Sequence, residues 1–215
     1  MITITVDSKE IQAEAGASLL EACLENDIYI PHLCHVAGMQ TPPASCRLCM
    51  VAVVGVDRPV TACTTQVAEG MVVETAAPEV RHLQRTALRL LLSVHDIDCK
   101  NCHANKHCEL QNIARFLKIG LRAKPYDTLL EKSAVDRSHP FLDYLPNRCV
   151  LCGKCMYACR EKNGQSMFTY AGRGFDTVIS AFGVDSADVD CAACLACVDI
   201  CPVGALVVRE NGGDS

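Results

Sequence analysis

Two cysteine runs with the same spacing contain the candidate chemistry of this chain. The first reads C-V-L-C-G-K-C-M-Y-A-C over 149–159, and the second reads C-A-A-C-L-A-C-V-D-I-C over 191–201. A C-x2-C-x2-C-x3-C run is typical of thiolates that hold a cubane iron–sulfur cluster, and the fourth cysteine of each run binds the cluster of the other. The spacing therefore predicts two [4Fe–4S] clusters, one on Cys149, Cys152, Cys155 and Cys201, the other on Cys159, Cys191, Cys194 and Cys197.

A third set of cysteines lies nearer the start of the chain. Cys34 is followed by C-R-L-C at 46–49, and Cys63 follows a predicted strand over 50–54. A plant-type [2Fe–2S] site has the spacing C-x4-C-x2-C…C, whereas the first gap here is eleven residues. Structural zinc is an alternative, although zinc sites favour two CxxC pairs and this set has one. The set predicts a [2Fe–2S] cluster on Cys34, Cys46, Cys49 and Cys63.

The remaining cysteine spacing is incomplete. The sequence H-x3-C-x2-C-x5-C over 95–108 supplies three thiolates, so a fourth ligand has to come from another residue type. We predict a [4Fe–4S] cluster held by His95, Cys99, Cys102 and Cys108. His103 and His107 lie inside the same loop and are the competing candidates. A neutral imidazole in place of a thiolate makes a site less negative, which by itself raises its reduction potential.

Cys23 falls outside every ligand spacing. A capping box formed by Ser18 and Glu21 predicts that a helix begins at Ser18. Leu20, Cys23 and Leu24 share one face of that helix. Cys23 is therefore predicted to pack in an apolar core rather than to bind metal.

The remaining sequence predicts short strands and helices that position these cysteines. Alternation at Ile2, Ile4 and Val6 predicts a hairpin within 1–16, with a turn at 7–10 and a return strand from Ile11. Pro78 begins a helix that ends near Val94. Its predicted apolar stripe is Val80, Leu83, Ala87, Leu90, Leu91 and Val94. Further elements are a helix over 110–119, a hairpin of strands 166–170 and 175–179, and a closing strand over 203–208.

These elements indicate an α+β chain with three cluster-binding parts. We predict a β-grasp [2Fe–2S] ferredoxin domain over 1–78. A helical [4Fe–4S] domain, with one histidine and three cysteine ligands, is predicted over 79–125. A linker follows over 126–140, where prolines interrupt the pattern. A bacterial-type 2[4Fe–4S] ferredoxin domain is predicted over 141–209, and 210–215 form a polar tail.

Composition excludes several other classes of protein. Sixteen cysteines in 215 residues could indicate disulfides, but the chain begins M-I-T-I-T-V and has no basic segment followed by an apolar signal sequence. No apolar run approaches the 18 or so residues that span a bilayer. The formal net charge is −5 and Lys and Arg form no tract, which argues against nucleic-acid binding. We therefore predict a cytoplasmic protein with no membrane span.

The order of these motifs resembles a known family. It resembles the N-terminal iron–sulfur module of the large electron-transfer subunit of respiratory complex I. The same module is found in the small diaphorase iron–sulfur subunit of NAD-reducing or bifurcating hydrogenases and in NAD-linked formate dehydrogenases. The resemblance covers about residues 1–209 and implies the [2Fe–2S] set above and His95 as the non-thiolate ligand. One departure is Arg160 after Cys159, where Pro202 follows Cys201. The matching segments are Y-I-P-H-L-C at 29–34, S-C-R-L-C-M at 45–50, T-A-C at 61–63, H-D-I-D-C-K-N-C at 95–102, H-C-E-L-Q at 107–111, R-G-F-D-T at 173–177 and C-P-V-G-A-L at 201–206.

The resemblance implies an electron-transfer subunit of an NAD(P)H-linked oxidoreductase complex. Larger relatives continue into a catalytic domain where this sequence stops, and the predicted ligands account for every cysteine except Cys23. No G-x-G-x-x-G dinucleotide fingerprint or P-loop is present, and no catalytic residue is predicted. The expected partners are a flavin-bearing NAD(P)H-oxidising subunit and a catalytic subunit, most often of the hydrogenase type, then formate dehydrogenase or another reductase. The alternatives are a free multicluster ferredoxin-like carrier and a zinc-binding interaction module.

Overall fold

The computed structural model describes residues 1–130, 134–182 and 191–209. Within them, the helices and strands are short and follow one another in an irregular order, which is typical of an α+β fold. The strands are β1 (Ile2–Val6), β2 (Lys9–Ala13), β3 (Met50–Val53), β4 (Val60–Thr61), β5 (Val72–Glu74), β6 (Leu142–Tyr144), β7 (Phe168–Ala171), β8 (Val178–Ala181) and β9 (Leu206–Val208). The helices are α1 (Leu19–Glu25), α2 (Pro78–Ser93), α3 (Glu109–Phe116), α4 (Lys154–Asn163), α5 (Cys191–Cys194) and α6 (Ala196–Asp199).

The N-terminal third forms one mixed sheet with the order β2-β1-β5-β3-β4. The predicted hairpin is confirmed, and its turn is tighter than expected. Asp7 and Ser8 have φ of 47° and 70°, which is the left-handed geometry of a two-residue hairpin turn, so pairing already begins between Val6 and Lys9. β1 then pairs in parallel with β5, which closes the sheet over α1.

The capping box at the start of α1 forms as predicted. Ser18 Oγ accepts a hydrogen bond from the N–H of Glu21 at 3.2 Å, so one of the unpaired amides of the first turn is satisfied. Cys23 is completely buried in the core beneath the sheet. Burial raises the pKa of its thiol to about 12, which keeps the sulfur protonated in an apolar environment.

The long helix α2 has nearly the predicted bounds, but its predicted apolar stripe is only partly confirmed, because Val80 and Ala87 are buried and its other members are less so. Leu90 is 52% exposed, whereas Leu88 and Leu92, which the stripe omits, are buried. Gln84 is also fully buried, because its Nε2 donates a hydrogen bond to the carbonyl oxygen of Met50 at 2.9 Å. The helix therefore packs on a face shifted from the hydrophobic stripe, since a buried amide with a partner can occupy the sheet contact.

One core continues from the N-terminal sheet loops through α2 and α3 into the C-terminal half. Leu33 and Leu48, from the loops that contain Cys34 and Cys46, pack in this core together with Leu88. The helix predicted over 110–119 is α3, which ends three residues earlier. The predicted 1–78 and 79–125 parts thus share apolar packing and are not separated by a gap.

Two small antiparallel pairs position the C-terminal cysteine runs. β6 pairs with β9. The closing strand predicted over 203–208 is observed only in its last three residues, which form β9. β7 pairs with β8, so the predicted hairpin exists but is shifted two to three residues towards the C-terminus. The 126–140 stretch contains neither helix nor strand among its described residues, and Asp136 forms a bridge to Tyr144. The predicted tail at 210–215 lies outside the described residues.

Candidate metal centres

Four buried sulfurs face one another at the edge of the N-terminal sheet. The Sγ atoms of Cys34 and Cys46 are 3.4 Å apart, and the hydrogen bond between them lowers the pKa of Cys34 to about 5 while raising that of Cys46. Cys63 has the same relation to Cys49, whose pKa it lowers. The four side chains interact electrostatically as one group. In each pair, the hydrogen bond between the sulfurs shifts the pKa of one cysteine towards the thiolate, the form that binds iron.

The C-x-x-C loops adopt a backbone that exposes their amides. Arg47, Leu151 and Leu195 are bulky residues inside three such loops, and their φ values of 55°, 50° and 45° lie in the left-handed region. Such residues persist there only where the surrounding fold holds them, and they concentrate at functional sites. Leu151 shows the consequence, because its N–H donates to Cys149 Sγ at 3.4 Å. Successive exposed amides form a concave site for a negatively charged group.

His95 is buried with one ring nitrogen that lacks a partner. Its exposed fraction is 8%, and no hydrogen bond to Nδ1 is present in the described part of the chain. Burial lowers the pKa of the ring, which is hydrogen-bonded to the backbone of Arg148. A metal-bound histidine usually donates its other N–H to a carbonyl and leaves one nitrogen for the metal. His103 and His107, the competing candidates, are less buried than His95.

The three cysteines of that loop surround the start of α3. Cys108 immediately precedes α3, and Cys99 begins a short 3-10 turn that ends before Cys102. Cys99 and Cys102 interact electrostatically with Cys108, and burial together with these two neighbours raises the pKa of its thiol. The structure thus brings these three sulfurs into one region.

The first set from the twin runs lines one small enclosed cavity. Cys149, Cys152, Cys155 and Cys201 all lie in its wall, together with the buried Tyr144. The N–H of Ala205 donates to Cys201 Sγ at 3.3 Å. Cys201, from the second run, therefore lies in one cavity wall with three cysteines of the first run.

The second set includes Cys159, which lies on α4 one turn after Cys155 of the first set. Cys197 interacts electrostatically with Cys159 and Cys194, and the N–H of Met167 donates to Cys159 Sγ at 3.2 Å. Cys191 and Cys194 are the first and last residues of α5. The fourth cysteine of the first run, Cys159, thus lies near Cys194 and Cys197 of the second run.

Burial keeps several thiols of the twin runs protonated. It raises the pKa of Cys152 and Cys197 to about 12 and raises that of Cys155 and Cys149. Because iron binds thiolates, assembly of a cluster on these side chains has to release their protons.

The His95 region and the Cys201 loop are in direct contact. Cys102 Sγ is 3.9 Å from the carbonyl oxygen of Val203, and the N–H of Glu109 donates to the carbonyl oxygen of Pro202 at 2.9 Å. A small residue is required at Gly204, whose φ is 65° and where an added Cβ would lie 2.9 Å from the Cβ of Ala104. The loop that follows Cys201 therefore holds the cysteine set of Cys102 in contact with the set of Cys201.

An apolar groove of about 1170 Å³ separates the first cysteine set from the Cys149 loop. Cys46 and Cys149 both lie in its wall, and the outer face of α2 forms one side through Leu83, Leu90 and Leu91. The predicted stripe of α2 therefore faces this groove as well as the core.

The donor sets and their surroundings fit iron–sulfur clusters. A single metal ion needs its donors within about 2.0–2.3 Å. Among residues 1–130, 134–182 and 191–209, no group of three or more His, Cys, Asp or Glu side chains is arranged to hold a metal ion. The fit instead rests on grouped sulfurs, on backbone N–H donors to Cys149, Cys159 and Cys201, and on the unpartnered Nδ1 of His95. Amides that surround thiolates are typical of cluster sites.

Three functional candidates were missed by sequence reasoning. Tyr144 is buried beside Cys149, and Asn163 Nδ2 lies 3.7 Å from Cys159 Sγ. Arg148 is 8% exposed and contacts the His95 ring through its backbone. Two sequence signals were available: Arg148 directly precedes the first run, and Asn163 follows Cys159 by four residues on α4.

No helix among the described residues is long and apolar enough to cross a membrane.

Comparison with protein families gives three consecutive matches. Residues 1–78 match the 2Fe-2S iron–sulfur cluster binding domain, and residues 84–121 match the NADH-ubiquinone oxidoreductase-G iron–sulfur binding region. Residues 139–207 match the ferredoxin-like domain of NADH-quinone oxidoreductase subunit 3. The chain therefore contains both 2Fe-2S and 4Fe-4S binding domains.

Curated relatives share most of this chain but are much longer. The alpha subunit of an NADPH-Fe(3+) oxidoreductase from Geobacter sulfurreducens is 34% identical over 209 residues, which cover 97% of this chain and 24% of that protein. The NADP-reducing hydrogenase subunit HndD of Solidesulfovibrio fructosivorans is 35% identical over 98% of this chain and 36% of its own. The mitochondrial NADH-ubiquinone oxidoreductase 78 kDa subunit of Neurospora crassa is 30% identical over 97% and 28%. This chain spans about a quarter to a third of their lengths.

A solved structure matches the whole fold. One chain in the crystal structure of NAD+-reducing [NiFe]-hydrogenase in the H2-reduced state superimposes with a TM-score of 0.85 and 30% identity. The match covers 100% of this chain and 90% of the other. The resemblance inferred from the motifs and the observed fold thus agree, and the chain belongs to the family of complex I-type iron–sulfur electron-transfer modules.

Proposed function

We propose that this chain is the iron–sulfur relay of a multi-subunit oxidoreductase. It passes single electrons between a flavin-bearing NAD(P)H-oxidising subunit and a separate catalytic subunit of the hydrogenase type, with formate dehydrogenase or another reductase as the next candidates. The observation that carries the proposal is the grouping of the cysteines into sets that the twin-run and loop spacings predict. The nucleotide-linked names of the relatives support the choice of partners.

The proposed ligands follow the four donor sets. A [2Fe–2S] cluster binds Cys34, Cys46, Cys49 and Cys63, and one [4Fe–4S] cluster binds His95, Cys99, Cys102 and Cys108. The remaining two [4Fe–4S] clusters bind Cys149, Cys152, Cys155 and Cys201, and Cys159, Cys191, Cys194 and Cys197. Bound clusters supply reversible one-electron chemistry.

The chain's own residues contribute position, exclusion of water and electrostatics. Burial of Cys34, Cys49 and Cys63 keeps solvent from the first site. The Cys201–Gly204 loop holds two sites in contact, which shortens any electron path between them. Backbone amides around the sulfurs stabilise negative charge. The cytoplasmic location remains a prediction.

We propose the domain division of the sequence analysis, 1–78, 79–125 and 141–209, with 126–140 as the linker. The bounds of the three family matches, 1–78, 84–121 and 139–207, support it. The core shared by Leu33, Leu48 and α2 means that the first two parts fold against each other.

Anaerobic purification from native cells tests the partners. We expect the chain to co-purify with a flavoprotein and with a third, catalytic subunit, and we expect NADH or NADPH to reduce its clusters within that complex. The isolated chain should not be reduced by either nucleotide. A monomer that purifies alone and exchanges electrons with soluble enzymes would instead indicate a free carrier.

A further inference from the structure

Tyr144 places a hydroxyl group in the wall of the cavity formed by Cys149, Cys152, Cys155 and Cys201. The residue is the last of β6 and is 7% exposed. Its position is fixed along the strand, because its backbone N–H and carbonyl bond with Asp136 at 2.9 and 2.8 Å. The hydroxyl therefore has little freedom to leave the cavity.

The hydrogen bonds of Tyr144 determine the direction of its O–H. The N–H of Ile179, in β8, donates to the Tyr144 oxygen at 3.2 Å. A phenol has one hydrogen to donate. With the oxygen already accepting from Ile179, that hydrogen is available to the cavity, whose wall contains the sulfurs of Cys149, Cys152, Cys155 and Cys201.

Asn163 provides a comparable donor at the second site. It is the last residue of α4, and its Nδ2 lies 3.0 Å from the carbonyl oxygen of Cys159. The same nitrogen is 3.7 Å from Cys159 Sγ and 3.9 Å from Cys194 Sγ. One amide hydrogen thus bonds the carbonyl oxygen of Cys159 at the end of the helix. The other points between two sulfurs from different cysteine runs.

We infer that Tyr144 and Asn163 are tuning residues, each of which raises the reduction potential of one of the two [4Fe–4S] sites in the ferredoxin-like half. The inference rests on the proposed function, since it requires that both sites hold clusters. Adding one electron makes a site more negative, and a hydrogen-bond donor at sulfur stabilises the more negative state. No bond forms or breaks and no proton transfer is needed.

The two donors differ in residue type and in the element that holds them. The reduction potential of each site can therefore be adjusted independently of the other. The Tyr144 hydroxyl is buried and comes from a strand outside both cysteine runs, whereas the Asn163 donor belongs to α4, the helix that contains Cys155 and Cys159. A hydrogen bond in a buried site is stronger than in water. The cysteine spacing of the two sites is the same, so the side-chain donors are a source of difference between them.

An EPR-monitored redox titration of the anaerobic full-length chain tests this inference. Dithionite supplies the electrons, and the variants are Tyr144→Phe and Asn163→Leu. We expect each to shift the midpoint of one [4Fe–4S] signal to a more negative potential, and we expect the two variants to shift different signals. Iron and sulfide content should stay at the wild-type value.

Tyr170→Phe is the matched control. Its hydroxyl donates to the carbonyl oxygen of Leu151 at 3.1 Å, so it lies near the same loop but bonds no sulfur. Unchanged midpoints in Tyr144→Phe, an equal shift in Tyr170→Phe, or loss of about four irons from Tyr144→Phe would each overturn the inference. Absence of [4Fe–4S] signals from the wild-type chain would instead contradict the proposed function.

Discussion

Gly204 lies so close to Ala104 that a Cβ added to Gly204 would stand 2.9 Å from the Ala104 Cβ and 3.6 Å from Cys102 Sγ. The loop that follows Cys201 and the loop that contains Cys102 therefore meet without space for a side chain. This contact joins the His95 region to the ferredoxin-like half of the chain.

Gly204→Ala should destabilise the chain by about 2–3 kcal/mol, because it adds overpacking to the cost of a left-handed alanine. The EPR signals of the clusters on both sides of the contact should broaden or shift. Anaerobic thermal unfolding followed by circular dichroism, together with EPR of the reduced protein, measures both effects.

Gly164→Ala separates the cost of the left-handed backbone from the cost of overpacking against Ala104. Gly164 has a φ of 74° but nothing within 4 Å of an added Cβ. It should therefore cost about 1 kcal/mol for the backbone alone and leave the EPR signals unchanged. Equal destabilisation by the two substitutions would show that the contact with Ala104 is unimportant.

His95→Ala should perturb one [4Fe–4S] EPR signal and leave the others intact, because the buried Nδ1 of His95 has no hydrogen-bond partner among the described residues and is therefore available to a metal. About four irons per chain are expected to be lost or to change environment. His103→Ala and His107→Ala are the controls, since both side chains are less buried than His95. If His95→Ala leaves the spectra unchanged and one of the controls alters them, the ligand is assigned to the wrong histidine.

Cys23→Ala should leave the iron and sulfide content unchanged and cost about 1 kcal/mol of stability from lost packing. Cys49→Ala, which removes a buried sulfur of the first set, should remove about two irons and the [2Fe–2S] signal. Iron and acid-labile sulfide analysis of both variants checks this. Loss of iron from Cys23→Ala would mean that the thiol is a ligand and not a core residue.

Glu21 ties the start of α1 to the loop that follows Cys34. Its Oε1 accepts the N–H of Gly38 at 2.9 Å, and Ser18 Oγ donates to its Oε2 at 3.1 Å. Glu21→Ala should therefore cost about 1–2 kcal/mol and speed the loss of the [2Fe–2S] absorbance during heating. Glu25→Ala, on an exposed position of the same helix, should match the wild type. Similar losses in both variants would exclude a specific role for the Gly38 contact.

Local patterns predicted the elements whose causes are local. The alternation before Asp7, the Ser18 capping box and Pro78 each determine a boundary through neighbouring residues, and these boundaries lie within a few residues of the prediction. The crossed cysteine sets stay a prediction, which rests on ligand spacing because that spacing reflects the size of the cluster rather than the rest of the fold.

Features set by long-range packing could not be predicted in this way. Gln84 is polar, and its burial depends on a carbonyl of Met50, which lies 34 residues earlier. Tyr144 reaches the cavity of its cysteine set only through the sheet that positions it, whereas Asn163 lies four residues after Cys159 on α4 and was accessible to helical spacing. Hydrophobic periodicity consequently predicted α2 but not which of its faces is buried.

Anaerobic iron and sulfide analysis, combined with EPR of the reduced chain, tests the central claim most directly. We predict about fourteen irons and as many acid-labile sulfides per chain, with one [2Fe–2S] and three [4Fe–4S] signals. Zinc without acid-labile sulfide would contradict the relay function and would indicate a structural interaction module.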